Sequence, residues 1–167
     1  TVHAAVHALV RPGVELLTVH ALGGSEMLAA AAEAAAQRAA ELGITTPKVL
    51  AITLLTSMGP GDLEDVGLPG TPDANVLRLA AIAHRARSAG VVCSVAEVAA
   101  IKARFGSEFV ALCPGIRPAG SAHGDQRRVA TPRDARNAGA DYIVVGRPIV
   151  EDTDPAAAAR AILAEVA

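Results

Sequence analysis

Five short β-branched or aliphatic runs recur along the chain at nearly constant spacing, over residues 15–20, 49–56, 90–94, 109–113 and 142–145. Longer, alanine-rich stretches separate them. Runs of this length read as buried parallel strands, and the alanine-rich stretches between them as helices. Strict alternation of this kind leaves a doubly wound sheet or a (β/α)8 barrel as the main candidates. Leu16 to Ile143 covers four intervals of about 32 residues, close to the ~31 obtained when a typical barrel of ~250 residues is divided by eight. The expectation is therefore an α/β protein, a (β/α)8 TIM barrel of which this chain supplies about the last five βα units. Residues 1–6 read as the first turns of a helix with no strand before it, so the chain is expected to be one domain, 1–167, truncated at its N-terminus.

The helix ends carry their own signals. Ser94 with Glu97 three residues on forms a capping box. Thr71-Pro72, Thr131-Pro132 and Asp154-Pro155 each place a capping residue before a proline at the first helical position. Gly43, Gly106 and Gly139 fall where helices should stop.

Several function classes are excluded by composition. With 15 Lys and Arg against 17 Asp and Glu and a net charge of −2, the chain has no electrostatic footprint for nucleic acid or an anionic membrane. Its apolar runs are far shorter than the ~20 residues a membrane span needs, so a cytoplasmic protein with a small-molecule partner is expected. Aromatic residues are 2% of the chain, which rules out a stacking platform for bases. Cys93 and Cys113 each close an apolar run with no metal-ligand spacing, and read as buried free thiols. The histidines likewise show no metal-binding spacing, and no metal site is expected.

The sharpest chemical feature is the last strand running into Gly146 and Arg147. In barrels a phosphate often sits at the ends of the last two strands, where glycine lets the backbone approach an oxyanion and arginine grips it bidentately. The same tetrad also fits a strand-ending turn with a surface arginine. The strand before it ends in Pro114-Gly115-Ile116-Arg117-Pro118 and opens a long stretch reaching Thr131 that contains Asp125, Gln126, Arg127 and Arg128. Long loops of this kind are often lids, here with Gln126 and Arg117 facing a phosphorylated ligand. The competing picture is a solvated loop whose arginines pair with Asp125.

Thr56 and Ser57 end the second run, where hydroxyls serve either a polar ring or the capping of the next loop. His20 closes the first run and is read as a hydrogen-bonded structural histidine. Glu15 and Asp141 stand at strand starts, on the end of a barrel that serves stability. The segment is thus equipped to bind phosphate and poorly equipped for proton transfer.

Taken together, Thr18-Val19-His20-Ala21 with Gly23-Gly24, Leu55-Thr56-Ser57-Met58, Gly90-Val91-Val92-Cys93-Ser94, Gly115-Ile116-Arg117-Pro118, Asp125-Gln126-Arg127-Arg128-Val129 and the stretch from Gly139 to Ile149 resemble, in order and spacing, the bacterial orotidine 5′-phosphate decarboxylases. The resemblance covers essentially all 167 residues. It implies a homodimeric barrel that removes CO₂ from orotidine 5′-phosphate to give UMP, the last step of pyrimidine synthesis, with no metal or organic cofactor. It assigns Arg117, Gln126, Gly146 and Arg147 to the phosphate and Thr56 to the base or ribose. Thr1 matches the threonine closing the family's Asp-x-Lys-x-x-Asp-Ile-Pro-Asn-Thr motif. The family's catalytic Lys/Asp array would lie upstream of Thr1, so no catalytic residue is expected in this segment and the 167 residues alone are expected to be inactive. Two alternatives stand beside this reading: a related sugar-phosphate decarboxylase or epimerase barrel, and a non-catalytic binder of phosphoribosyl ligands.

Overall fold

The computed structural model describes residues 1–118 and 128–167. Its first element is helix α1 (Val2–Leu9), followed by strand β1 (Leu16–His20), a 3-10 turn over Ala21–Gly23, and helix α2 (Gly24–Leu42). Strand β2 (Lys48–Ile52) leads to the short helix α3 (Pro60–Asp65) and then α4 (Pro72–Arg85). Strand β3 (Gly90–Val92), helix α5 (Val95–Phe105), strand β4 (Val110–Cys113), helix α6 (Pro132–Ala138) and strand β5 (Tyr142–Ile143) follow. The chain closes with the single turn α7 (Arg147–Val150) and helix α8 (Pro155–Val166).

All five strands are parallel and stand in chain order, β1-β2-β3-β4-β5. A doubly wound sheet reverses its strand order at a switch point, with helices on both faces. Here nothing reverses. The register sets Val19, Ala51, Val91 and Ala111 side by side, and these residues face the helices in one large core with Leu28, Leu63, Val76, Leu79, Val98 and Ile101. The opposite face carries Leu50, Val92 and Val110 packed with Leu16, Ile52 and Leu112, strand residues all, and with Ala89 just before β3. A sheet with helices on one face and a strand-lined other face is the arrangement of a (β/α)8 barrel wall, and the five βα units read from the sequence match it.

The caps form as the residue types require. The Thr71 and Thr131 hydroxyls accept from the N–H groups of Ala74 and Asp134, and the Asp154 carboxylate accepts from Ala157 N–H. Gly43 and Gly139 adopt the left-handed conformation that ends α2 and α6. Helix α1 forms where the sequence placed it and packs on α2 through Val6, Val10, Ala31, Ala34 and Ala35.

The strands are shorter at several ends than the sequence reading, which ran over 15–20, 90–94, 109–113 and 142–145 where the strands cover Leu16–His20, Gly90–Val92, Val110–Cys113 and Tyr142–Ile143. The second run stops being strand at Ile52, not at Thr56, because beyond Thr53 the Leu54 and Leu55 carbonyls accept from the Arg128 guanidinium instead of a neighbouring strand. Lys48, placed ahead of the strand by its sequence, is instead the first residue of β2, and its ammonium lies 5.9 Å from the centre of the Tyr142 ring.

Gly90 marks the closest approach between strands. A Cβ built on it would stand 2.1 Å from the Val110 carbonyl oxygen and 2.6 Å from the Val110 Cβ. The backbone oxygen cannot withdraw without breaking the β3–β4 ladder, so Gly90→Ala should cost about 1–3 kcal/mol or more, as overpacking of a tight interior does. The check is the denaturant midpoint of the variant, and an unchanged midpoint would mean that the ladder yields there.

Candidate functional site

Because the strands are parallel and sequential, their carboxyl ends form one rim, the end at which barrels carry their sites. His20 closes β1 there and is exposed. Its ring makes no side-chain hydrogen bond to a described residue, which corrects the reading of a hydrogen-bonded structural histidine. The physical reason is that it projects onto the strand-lined face, in register with the apolar Ile52. At the end of β2 the buried Thr53 hydroxyl donates to the Val92 carbonyl at 2.8 Å, so it ties β2 to β3. Thr56 is also buried, and its carbonyl accepts from Arg128 N–H at 3.2 Å.

The last two strands are neighbours, one leading to Arg117 and the other to Gly146 and Arg147. Cys113 pairs with Ile143, and Val144 N–H donates to the Cys113 carbonyl at 2.9 Å. Arg117 and Arg147 each lie four residues past these paired positions. Arg117 is only 8% exposed, and its Nη1 donates to the Ile116 carbonyl at 2.8 Å. Among the described residues no carboxylate pairs with it. A buried guanidinium in this condition is costly unless an anion meets it. Arg147 begins α7 and is exposed, and a Cβ at the preceding Gly146 would meet nothing within 4 Å, so the backbone there borders open space. Gln126 falls outside the described residues. Thr1 caps α1 on the outer layer, exposed and without a side-chain capping bond, and α1 packs on α2 and not on the strand ends.

The local sequence did not reveal how Arg128 and Glu97 meet. Arg128 Nη1 donates to Glu97 Oε1 at 2.6 Å, while Nη2 donates to the carbonyls of Leu54 and Leu55, each at 3.2 Å. The other Glu97 oxygen accepts from Ser94 N–H at 2.8 Å, completing the expected capping box. Arg128 is therefore an internal brace with a side chain 15% exposed, and its carboxylate partner among the described residues is Glu97; Asp125 falls outside the described residues. Local spacing could identify Glu97 as a capping residue but not its partner 31 positions later. Burial pushes the Glu97 carboxyl above its ordinary range, with the Arg128 charge and the Ser94 N–H opposing that shift.

Among the described residues, no lysine stands at this rim. Both lysines of the chain lie at the far end of the sheet: Lys48 at the start of β2, and Lys102 bonded to the Ser107 carbonyl and to Asp141, each at 2.7 Å. Asp141 also accepts from Ala111 N–H at 2.7 Å, which fixes it as a stability residue where β5 begins. Of the rim carboxylates, Asp62 accepts from Gly59 N–H at the start of α3, and Glu97 is committed to Ser94 and Arg128. The Cys93 and Cys113 thiols are buried and unbridged, and hydrogen bonding to Cys113, together with burial, holds the Cys93 thiol well above its ordinary range. No group of three metal-ligating side chains occurs among the described residues. The described strand ends thus offer guanidinium groups for an anion and few groups for proton transfer.

A family model described as Orotidine 5'-phosphate decarboxylase / HUMPS family matches residues 1–162. The chain belongs to that family. It is 52% identical over 164 residues to the orotidine 5′-phosphate decarboxylase of Anaeromyxobacter sp. (strain K), a match covering 98% of this chain and 69% of the relative. The enzyme of the same name from Moorella thermoacetica is 50% identical over 167 residues, 99% of this chain and 66% of the relative. Among solved structures, orotidine 5′-phosphate decarboxylase from Lactobacillus acidophilus superposes with a TM-score of 0.82 at 37% identity, covering 99% of this chain and 69% of that one. The chain thus spans roughly two thirds of the length of these decarboxylases, and its five parallel strands are part of a (β/α)8 barrel.

The buried carboxylate gives a pH test. Folded Glu97 holds its proton to higher pH than unfolded Glu97, so the stability it contributes is complete in acid and declines as pH rises through its raised value. The stability advantage of the wild type over Glu97→Gln should therefore shrink between about pH 4 and about pH 7. Urea unfolding of both proteins across that range is the check. An advantage that grows with pH would mean that the attraction of Arg128 outweighs burial.

Proposed function

We propose that the protein decarboxylates orotidine 5′-phosphate to UMP in pyrimidine biosynthesis, and that this chain supplies the phosphate- and nucleotide-binding side of the site. The supporting observation is Arg117, a buried guanidinium without a carboxylate among the described residues, beside the strand end that carries Gly146 and Arg147. A phosphate dianion would supply the missing negative charge and accept from both arginines. Gly146 would let the backbone approach the same oxyanion. Gln126 completes the proposed phosphate set, with Thr56 near the base or ribose.

In this reaction the bond from the pyrimidine ring to its carboxylate breaks, CO₂ leaves, and the carbanion left on the ring takes a proton. Binding energy from the remote phosphate is used to bring the substrate carboxylate against a negatively charged group, which the departure of CO₂ relieves. The residues described here supply the binding part of that scheme. The carboxylate and the lysine that would protonate the carbanion are the family's Lys/Asp array, which has no counterpart at this rim. The reaction would be a lyase step without metal or organic cofactor, in a cytoplasmic enzyme. A homodimer fits the exposure of Leu22, Leu55 and Val66, all in the segments that follow β1 and β2.

Arg147→Ala, made in the polypeptide at its natural length, removes one anchor and leaves the chemistry untouched. A hydrogen bond to an ionised group contributes on the order of 1.5–3 kcal/mol, so kcat/KM for orotidine 5′-phosphate should fall roughly 10- to 150-fold. The loss should be much smaller for the nucleoside without its phosphate. Equal losses on the two substrates would make Arg147 a structural residue and remove the phosphate from this strand end.

A further inference from the structure

We propose that Arg128 is a positioning residue, setting the place of Arg117 and Thr56 through a strap of residues 128–130 laid across three adjacent strand ends. At its first residue the strap joins the end of β2, where Arg128 N–H donates to the Thr56 carbonyl and Nη2 to the carbonyls of Leu54 and Leu55. The Nη1 of that same residue meets Glu97 in the first turn of the helix that β3 feeds. Two residues further the strap reaches the extension of β4, where Ala130 pairs with Ile116 and its carbonyl accepts from Arg117 N–H at 2.9 Å. The proposed phosphate arginine and the proposed ribose or base threonine are thus bonded to the two ends of one three-residue segment. The proposal rests on the phosphate reading of Arg117.

The chemistry of the brace requires arginine. Its two terminal nitrogens serve three acceptors on two different elements, a fork that the single ammonium of lysine cannot reproduce. The Glu97 carboxylate that balances the charge is itself held by Ser94 N–H, so the brace is anchored to a rigid helix start.

Arg128→Lys keeps a cation beside Glu97 but releases the Leu54 and Leu55 carbonyls. In the polypeptide at its natural length this variant should remain folded, while the dissociation constant for inorganic phosphate rises tenfold or more, as displacement of a positioned group by about an ångström can produce. KM for orotidine 5′-phosphate should rise in parallel, with kcat changed less. Amide hydrogen exchange at Arg117 should quicken, since its acceptor sits on the strap. Arg128→Lys that binds phosphate as the wild type does and loses only thermal stability would overturn the proposal, as would a fall in kcat at unchanged KM. If Arg128→Lys does not fold, Glu97→Gln, which frees the arginine from its anchor, is read by the same phosphate titration with the same expected weakening, and wild-type affinity there would overturn the proposal. A wild type that binds phosphate but does not decarboxylate orotidine 5′-phosphate would refute the functional reading alone, because the phosphate titration still decides the role of Arg128.

Discussion

A parallel strand cannot be joined to its neighbour by a tight turn, so each strand here is followed by a crossover, and every crossover returns one position further along the sheet. Much else follows from that constraint. All helices lie on one face, all strand ends with functional potential lie on one rim, and the opposite ends are left to stability. The charge distribution obeys the same division. Lys48, Lys102 and Asp141 hold the strand starts together, whereas Arg117, Arg128 and Arg147 stand just past the strand ends. Arginine is the better choice at the rim because its planar, always charged fork suits oxyanions and clustered carbonyls alike.

The architecture was legible because it is written in short-range patterns. Strand periodicity, the Ser94–Glu97 capping box and the Thr-Pro helix starts act over a few residues, and each forms as read. The glycines at 43 and 139 end their helices in the left-handed conformation, which costs glycine nothing. The spacing of the strands then separated barrel from doubly wound sheet, and the sequential strand order agrees. The strand lengths were less legible. The apolar run through Leu54 and Thr56 looks like strand throughout, yet the partner that ends it, Arg128, lies more than seventy residues away.

The site was legible in composition and not in wiring. Arg117, Gly146 and Arg147 could be singled out from their own segments, since each lies within four residues of a strand end. The pairing of Glu97 with Arg128 could not, because nothing local distinguishes a capping glutamate that also carries a buried counterion. His20 failed for the opposite reason. A histidine at a strand end suggests a polar partner, but its cross-strand neighbour Ile52 offers none.

The strap over the strand ends has a kinetic implication. Its bonds to Leu54 and Leu55 join residues 74 and 73 positions apart, against 39 for the Lys102–Asp141 bond at the strand starts. Such contacts can form only after β2, β3 and β4 have paired and α5 has docked, because loop-closure entropy must be met before they contribute. The strand starts, tied by Lys102 and Asp141, have no such requirement beyond β4 and β5. The rim therefore carries the larger closure cost, and the proposed anion-binding surface is expected to acquire its shape late in assembly.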